Sequence, residues 1–329
     1  MLVRLPAAAL AVLSVGGACS PRPRAALVPV VDELLALWEE ADLVCLGEEH
    51  GSRADAEVRL ALIADPRFAA TVEIVLLEAA SPLHQELLDR FVLAGDELDR
   101  AALRPVWLDA GLGEFWESPI YEGLLRALRR VNLARPAGER VRVVAGAAPI
   151  DWRTIEEPED LAPFLDRRAL FARRAREQVL ARDLRSLAVF GAAHCLKSGA
   201  GFPAALPPDL AARVRSVLPL HAPAAAGRQR LALGPHPRLV TVADTPLAAE
   251  PAAGMLTAPA DRTLGDLADA LLWFGPGPDE ILAPRRDELP AAWRRELDRR
   301  ARLWREAHGL PLAVPAQAPG LVQRLPLRP

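Results

Sequence analysis

The 329-residue chain is poor in several kinds of residue, and each shortage argues against a class of protein. Its three cysteines, Cys19, Cys45 and Cys195, form no Cys-x-x-Cys pair, which argues against a zinc knuckle or a thioredoxin-like motif. A net charge of -3 gives no electrostatic reason to expect a nucleic-acid partner. Lys197 is the sole lysine among 40 basic residues, a bias typical of a GC-rich genome. Apart from the N-terminal segment, no run is apolar enough to predict a membrane span.

Residues 1–19 have the layout of a bacterial export signal. A positively charged start is followed by an apolar stretch over 5–15, which is too short to span a bilayer as a mature helix. Small residues then precede Cys19, so we expect a lipoprotein signal with lipidation there, and simple secretion to the periplasm or medium as the alternative. Residues 20–29 contain three prolines and are predicted to be a linker. The expected location is the cell envelope, with membrane contact only through Cys19.

Short apolar runs alternate with amphipathic stretches over residues 30–310, which predicts a single α/β domain. We expect three layers, with a mostly parallel central sheet, helices on both faces, and added C-terminal strands and a helix. Residues 311–329 are predicted to be a proline-rich tail, residues 95–118 to be irregular, and residues 264–273 to be either helix or strand. Predicted strands cover residues 43–46, 74–77, 140–145, 187–190, 213–218 and 239–242. Predicted helices cover residues 30–40, 53–65, 81–93, 119–132, 160–184 and 291–308.

Two of the predicted strands end in the same pattern, a glycine, two residues and a histidine. The first pattern runs from Gly47 to His50 and the second from Gly191 to His194. Because ligands of α/β sheets bind beyond the carboxyl ends of the strands, both histidines are expected in one crevice. One such pattern occurs easily by chance, whereas two directly after apolar strands favour a functional pair. Cys45 and Cys195 flank these patterns and are predicted to be buried packing residues that could lie near each other.

Glu78 ends the apolar run 74–77, where an unpaired carboxylate would be costly to bury. We therefore expect it to have a cationic partner or a function. The purely structural alternative is that it caps a helix or forms an ion pair with Arg53. Glu48 and Glu49 precede His50, and we expect one of them to point into the site and the other to solvent. Arg53 is expected either to hold an anionic group of a substrate or to pair with these acids.

Several segments together resemble the erythromycin esterase family, in an order that holds over roughly residues 42–275. The paired Gly-x-x-His patterns also resemble the wider superfamily of Tiki metalloproteases, TraB-like pheromone-shutdown proteins and ChaN-like haem-binding lipoproteins. The segments that resemble the esterases are Gly47–Arg53, Leu77–Ala79, Trp116 with the helix ending at Arg130-Val131-Asn132, Arg176–Ala181 and Asp269–Phe274.

The resemblance implies an α/β fold with a site built from His50, Glu78 and His194. In the esterases the histidine matching His50 is thought to activate water, with the glutamate matching Glu78 in support. In the proteases two such histidines and a glutamate bind a divalent metal, which would here be held by all three residues. The haem-binding branch uses tyrosine, and Tyr121 is the sole tyrosine of this chain.

We therefore expect an exported hydrolase that acts on an ester, a lactone or an amide, in a small-molecule or peptide substrate. Water would be activated by His50, or on a divalent metal held by His50, Glu78 and His194, while Glu48 and Arg53 orient the histidine or the substrate. The alternative is a cell-envelope lipoprotein that binds haem or a metal. A third hypothesis is a domain that keeps the fold without the chemistry.

Overall fold

The computed structural model describes residues 24–111, 114–221, 229, 231–253, 261–277 and 279–309. The predicted export signal, the lipidation site at Cys19 and the proline-rich tail lie outside the described residues. Within the described ranges, no helix combines the length and the apolar character needed to cross a membrane.

Seven strands form one sheet in the order β3-β2-β4-β1-β5-β7-β6, which confirms the predicted α/β fold. All neighbouring strands pair in parallel except β6 and β7, which are antiparallel. Apolar, often β-branched residues fill these runs, as expected of strands buried on both faces. The strands are β1 Leu43–Glu48, β2 Ile74–Leu77, β3 Arg142–Ala145, β4 Ser186–Gly191, β5 Val214–Leu220, β6 Arg238–Thr241 and β7 Ala270–Trp273.

Helices cover both faces of the sheet, and each face has its own apolar core. The first face is covered by the helices α1, α2, α3, α5 and α6, and the second mainly by α7. Because successive residues of a strand point to opposite faces, Val44 and Leu46 enter the first core and Leu43 and Cys45 the second. The helices are α1 Val28–Ala36, α2 Arg53–Ala64, α3 Pro66–Thr71, α4 Gln85–Leu88, α5 Arg100–Leu108, α6 Pro119–Leu133, α7 Arg167–Gln178, α8 Pro208–Ala211, α9 Leu264–Leu267 and α10 Ala291–Ala307.

Four sequence-based expectations of local structure need correction. The described part of the predicted linker 20–29 is structured, because Arg24–Leu27 form a 3-10 turn with Leu27 buried and α1 begins at Val28. Residues 95–118 are not irregular throughout, because α5 forms there with Asp99 as its N-cap. The long helix expected over 160–184 is divided, and its central part α7 begins after Asp166, which accepts a hydrogen bond from Ala169 N. The segment 264–273 is both helix and strand, since α9 is followed directly by β7.

Cys45 and Cys195 are buried, as expected of packing residues, and they also form a disulfide that the sequence did not establish. Cys45 lies in the middle of β1, between β4 and β5. Cys195 directly follows the 3-10 turn Ala192–His194 at the end of β4. The bond therefore joins a central strand to the turn that carries the second histidine.

Gly47 allows this turn to pass close over the end of β1. A Cβ atom at position 47 would lie 3.0 Å from Cα of Ala192 and 3.2 Å from the carbonyl oxygen of Val217. Both neighbours are backbone atoms held by the sheet or by the disulfide-linked turn. The first glycine of the repeated pattern is therefore explained by close packing.

We predict that Gly47→Ala lowers the free energy of unfolding by about 1–3 kcal/mol, because the backbone of β4's terminal turn must move outward. Denaturant unfolding measures this loss. Gly123→Ala is the matched control, since no atom lies within 4 Å of the added Cβ in helix α6. Alanine should stabilise that helix by about 0.5–1 kcal/mol, and a similar loss in both variants would contradict the packing explanation.

Candidate functional site

His50, Glu78 and His194 meet at the carboxyl ends of the adjacent strands β1, β2 and β4. The order of the strands places β4 between β1 and β2, so the three residues lie along one edge. The helix α2 that follows β1 lies on the first face, whereas the segment that follows β4 packs on the second. Strands whose connections diverge in this way leave a crevice between them, the usual ligand site of α/β sheets.

Glu48 is the last residue of β1 and is almost completely buried, with 3% of its surface exposed. Its Oε1 accepts hydrogen bonds from Nδ1 of His50 at 2.8 Å and from the hydroxyl of Tyr121 at 2.7 Å. Its Oε2 lies 2.6 Å from Nη1 of Arg59, which α2 supplies. Both oxygens of this carboxylate are thus engaged, and the orientation of the His50 ring follows from them.

The electrostatics of this pair keep Glu48 ionised and make His50 more basic. Burial would raise the pKa of Glu48, but Arg59 and the hydrogen bonds from His50 and Tyr121 outweigh burial and lower the pKa to about 2. Burial would lower the pKa of His50, yet the hydrogen bond to Glu48 and the charge of Glu78 raise it above the ordinary value. His50 therefore binds a proton more readily than a free histidine.

The second glycine of the repeated pattern makes room for the first histidine. A Cβ atom at Gly191 would lie 2.9 Å from both Cε1 and Nε2 of His50, and 3.5 Å from Oε2 of Glu78. The ring edge that carries Nε2 therefore lies over Gly191 and on the side of Glu78. Trp116 contacts the same ring edge-to-face, with centroids 4.6 Å apart. Nε2 is the ring nitrogen left available for chemistry.

Glu78 has the cationic partner that its buried position requires, and that partner is Arg167. The guanidinium of Arg167, at the start of α7, donates to Oε1, while the backbone N of Gly191 donates to Oε2 at 2.6 Å. Burial acts to raise the pKa of Glu78, whereas His194 when protonated, Arg167 and His50 act to lower it, and the net shift is downward. Arg167 supplies the permanent charge among these groups, so Glu78 is a carboxylate at neutral pH.

His194 lies on the other side of Glu78, with Nε2 3.6 Å from Oε1. Its ring packs edge-to-face on Phe171, and its buried Nδ1 has no hydrogen-bond partner among the described residues. Burial and the charge of Arg167 lower the pKa of His194 to about 3, although Glu78 acts in the opposite direction. His194 is therefore neutral at physiological pH, and its contact with Glu78 is not an ion pair there.

Two of the sequence-predicted residues lie apart from this cluster. Arg53 pairs with Glu280, with Nε 2.7 Å from Oε2, instead of with Glu78. Its predicted role in holding a substrate gains no support from this contact and stays a prediction. Glu49 is partly exposed and lies near His221 at 3.8 Å, so the two adjacent acids do point in different directions.

Four further residues contact the cluster; the sequence predicted no role for Arg59 or Arg167, and it marked Tyr121 only as a possible haem ligand. Arg59 is a charged residue among the buried residues Val58 and Leu62 of α2, a signal that could have marked it. Trp116 was noticed only through the family resemblance. Arg167 carries no local signal, because it is one of many arginines in its helix and its following segment.

In this arrangement the expected metal ligands are partly engaged with other groups. Arg167 and Gly191 each donate to one oxygen of Glu78, whereas the hydrogen bond of Nδ1 to Glu48 leaves Nε2 of His50 free. Within the described ranges, no three histidine, cysteine or acidic side chains are grouped so as to hold a metal. A metal ion bound by Glu78 would share that carboxylate with Arg167, and we derive no step through a metal. The divalent-metal expectation itself stays untested.

The comparisons with known proteins identify no family. No family model matches the chain, and no curated protein matches it. Among solved structures, a protein from Bacillus cereus has 12% sequence identity and a TM-score of 0.49, over 75% of this chain and 92% of that chain. The type III effector HopBA1 has 17% identity and a TM-score of 0.33, over 55% of this chain and 79% of that chain. At these scores neither structure bears on the chemistry of the site.

We predict that Gly191→Ala displaces the His50 ring while the backbone stays folded, because the added Cβ meets a movable side chain. The free energy of unfolding should fall by about 1–2 kcal/mol, because the buried hydrogen bond between His50 and Glu48 weakens. The pKa of His50, followed by NMR, should fall back from its raised value as the Glu48 hydrogen bond weakens. Gly138→Ala, with open space around its Cβ, should leave His50 unchanged. An unshifted His50 in Gly191→Ala would refute this packing.

We predict that His194 makes the protein less stable in acid. Its lowered pKa means that the unfolded chain takes up a proton below about pH 6.5 and the folded protein does so only near pH 3. The stability present above pH 6.5 is therefore lost as the pH falls, by about 1–2 kcal/mol between pH 7 and pH 5. Unfolding free energies at both pH values should show a smaller loss for His194→Gln. Equal losses in the two proteins would contradict the neutral, buried state.

Proposed function

We propose that the protein is an exported hydrolase in which His50 activates water for attack on an ester, lactone or amide carbonyl. The observation that carries this proposal is the buried Glu48–His50 pair, in which Arg59 and Tyr121 hold the carboxylate and leave Nε2 available. A buried carboxylate that fixes the tautomer and orientation of a histidine is the arrangement that general-base catalysis needs.

In the proposed reaction His50 begins neutral, with its proton on Nδ1 donated to Glu48. Nε2 takes a proton from water while the water oxygen bonds to the carbonyl carbon, which converts the carbonyl oxygen to an oxyanion. The imidazolium formed is stabilised by Glu48 and Glu78, the same groups that raise the pKa of His50. It then returns the proton to the leaving alkoxide or amine as the tetrahedral intermediate collapses.

Arg167 offers hydrogen-bond donors that would stabilise the negative charge formed on the carbonyl oxygen in this reaction. Its side chain is 29% exposed, and one of its donors already binds Glu78. A guanidinium carries five N–H donors, so others remain for a carbonyl oxygen or a substrate carboxylate. Phe171 packs below the guanidinium at 5.4 Å and limits its movement.

The proposed location outside the reducing cytoplasm is supported by the buried disulfide. Disulfides persist in secreted and periplasmic proteins and are rare where thiols are kept reduced. The Cys45–Cys195 bond thus agrees with the export signal expected from residues 1–19 and with a cell-envelope lipoprotein.

The haem-binding alternative gains less support from the geometry. Tyr121 is the sole tyrosine, and its buried hydroxyl donates to Glu48. Binding to a haem iron would remove that hydrogen bond and uncover a side chain that is 1% exposed. A haem titration that produces a Soret band lost in Tyr121→Phe would nevertheless favour this alternative over hydrolysis.

We predict that His50→Ala lowers hydrolysis by a factor of about 10²–10⁴, the usual contribution of a general base. Glu48→Gln should also lower the rate, because the neutral amide no longer favours the imidazolium. In the wild type the rate should rise with pH through the raised pKa of His50, since only neutral His50 accepts a proton. The measurement is a pH–rate profile for an ester or amide found by substrate screening.

The exposed His236 provides a matched control, because His236→Ala removes a histidine outside the site. Unchanged activity in His50→Ala and Glu48→Gln would defeat the proposal. Elemental analysis of the purified protein tests the metal-assisted version. A stoichiometric divalent metal, with activity lost to a chelator and restored by that metal, would replace the metal-free mechanism.

A further inference from the structure

We propose that the Cys45–Cys195 disulfide is a positioning element of the site, which holds the turn that carries His194 against β1. This proposal rests on the proposed function, because a positioning role matters only if His194 belongs to an active site. The NMR measurement that tests it needs no substrate.

Cys45 supplies the immovable end of the bond. It lies opposite Ala188 of β4 and Ser216 of β5, so its backbone is held by strands on both sides. Its side chain is fully buried in the second core, where Phe190 and Phe202 also lie. A sulfur attached to this position cannot shift without disturbing the centre of the sheet.

Cys195 connects the disulfide to the turn that carries His194. It follows His194 directly, and its backbone N closes the 3-10 turn by donating to the carbonyl oxygen of Ala192 at 3.1 Å. The next backbone anchor is Lys197, whose N donates to the carbonyl oxygen of Leu267. The covalent bond is therefore the strongest restraint between the turn and β1.

His194 itself has few restraints of its own. Its buried Nδ1 has no hydrogen-bond partner among the described residues, and its ring is placed by Phe171 and by the 3.6 Å approach to Glu78. A histidine without hydrogen bonds takes its position from its backbone. The orientation of His194 beside Glu78 thus depends on the turn that the disulfide ties down.

Reduction of the disulfide should therefore change the position of His194 in the site. The bond forms when two thiols pass two electrons and two protons to a disulfide donor by thiol–disulfide exchange. Reduction by a dithiol or a phosphine reverses this change. Two thiols cannot approach as closely as two bonded sulfurs, so reduction should move Cys195 and the adjacent His194 away from β1.

The first experiment asks whether the bond exists in the full-length protein purified after export. Trypsin cleaves after Arg24, Arg53, Arg185 and Lys197, so the cysteines fall in peptides 25–53 and 186–197. After alkylation of free thiols, mass spectrometry should find these two peptides joined, and reduction should separate them. Two separately alkylated peptides would overturn the proposal.

The second experiment compares His194 in the wild type and in the full-length double variant Cys45→Ala/Cys195→Ala. NMR of labelled histidines, with His194→Gln for assignment, should show the ring resonances of His194 shifted in the double variant, because the ring moves relative to Phe171 and Glu78. Leu34→Ala is the matched control, because it destabilises the opposite core from a fully buried position. It should leave His194 unchanged.

A purely structural role predicts a different result. The double variant would then lower the thermal midpoint as Leu34→Ala does, with His194 unshifted, and the proposal would fail. If the double variant does not fold, reduction of the folded wild type with a phosphine provides the same comparison. Failure of the proposed hydrolysis would instead appear as unchanged activity in His50→Ala, whatever the state of the disulfide.

Discussion

The site depends on the close contact between the ends of β1 and β4. Gly47 leaves room for the turn that carries His194, and Gly191 leaves room for the ring of His50. Each glycine thus accommodates the residues that follow the other one, so the repeated pattern reflects a reciprocal packing requirement. A larger residue at position 47 would push the turn away from β1, and a larger residue at position 191 would displace the His50 ring.

Two buried carboxylates lie beside the contact between the ends of β1 and β4, one on each face of the sheet. Glu48 points toward the first face, where α2 supplies Arg59 and α6 supplies Tyr121. Glu78 points toward the second face, where α7 supplies Arg167. A buried carboxylate is stable only when it is paired and hydrogen-bonded. The helices on both faces therefore stabilise the charges that surround His50 as well as covering the apolar core.

The parts of the fold that could be predicted are those with a strong local pattern. The run Ile74–Leu77 and the cap at Ser52 signal their structures within a few residues. The helix α5 was missed because its apolar residues are interrupted by Pro105 in a segment with several glycines and acids. The convergence of His50, Glu78 and His194 was predictable because parallel strands place their carboxyl ends at the same edge.

The sequence by itself determined the alternation of strands and helices and the three residues that meet at the strand ends. The tertiary structure decided which partners those residues have. Arg53 is nearer to the site in sequence, yet Arg59 and Arg167 provide the charges, and Cys45 bonds to a cysteine 150 residues away. The physical reason is the sequence distance over which each interaction acts. Hydrophobic periodicity is set by neighbouring residues, whereas the pairing of a buried charge or a sulfur depends on which elements the whole chain packs against it.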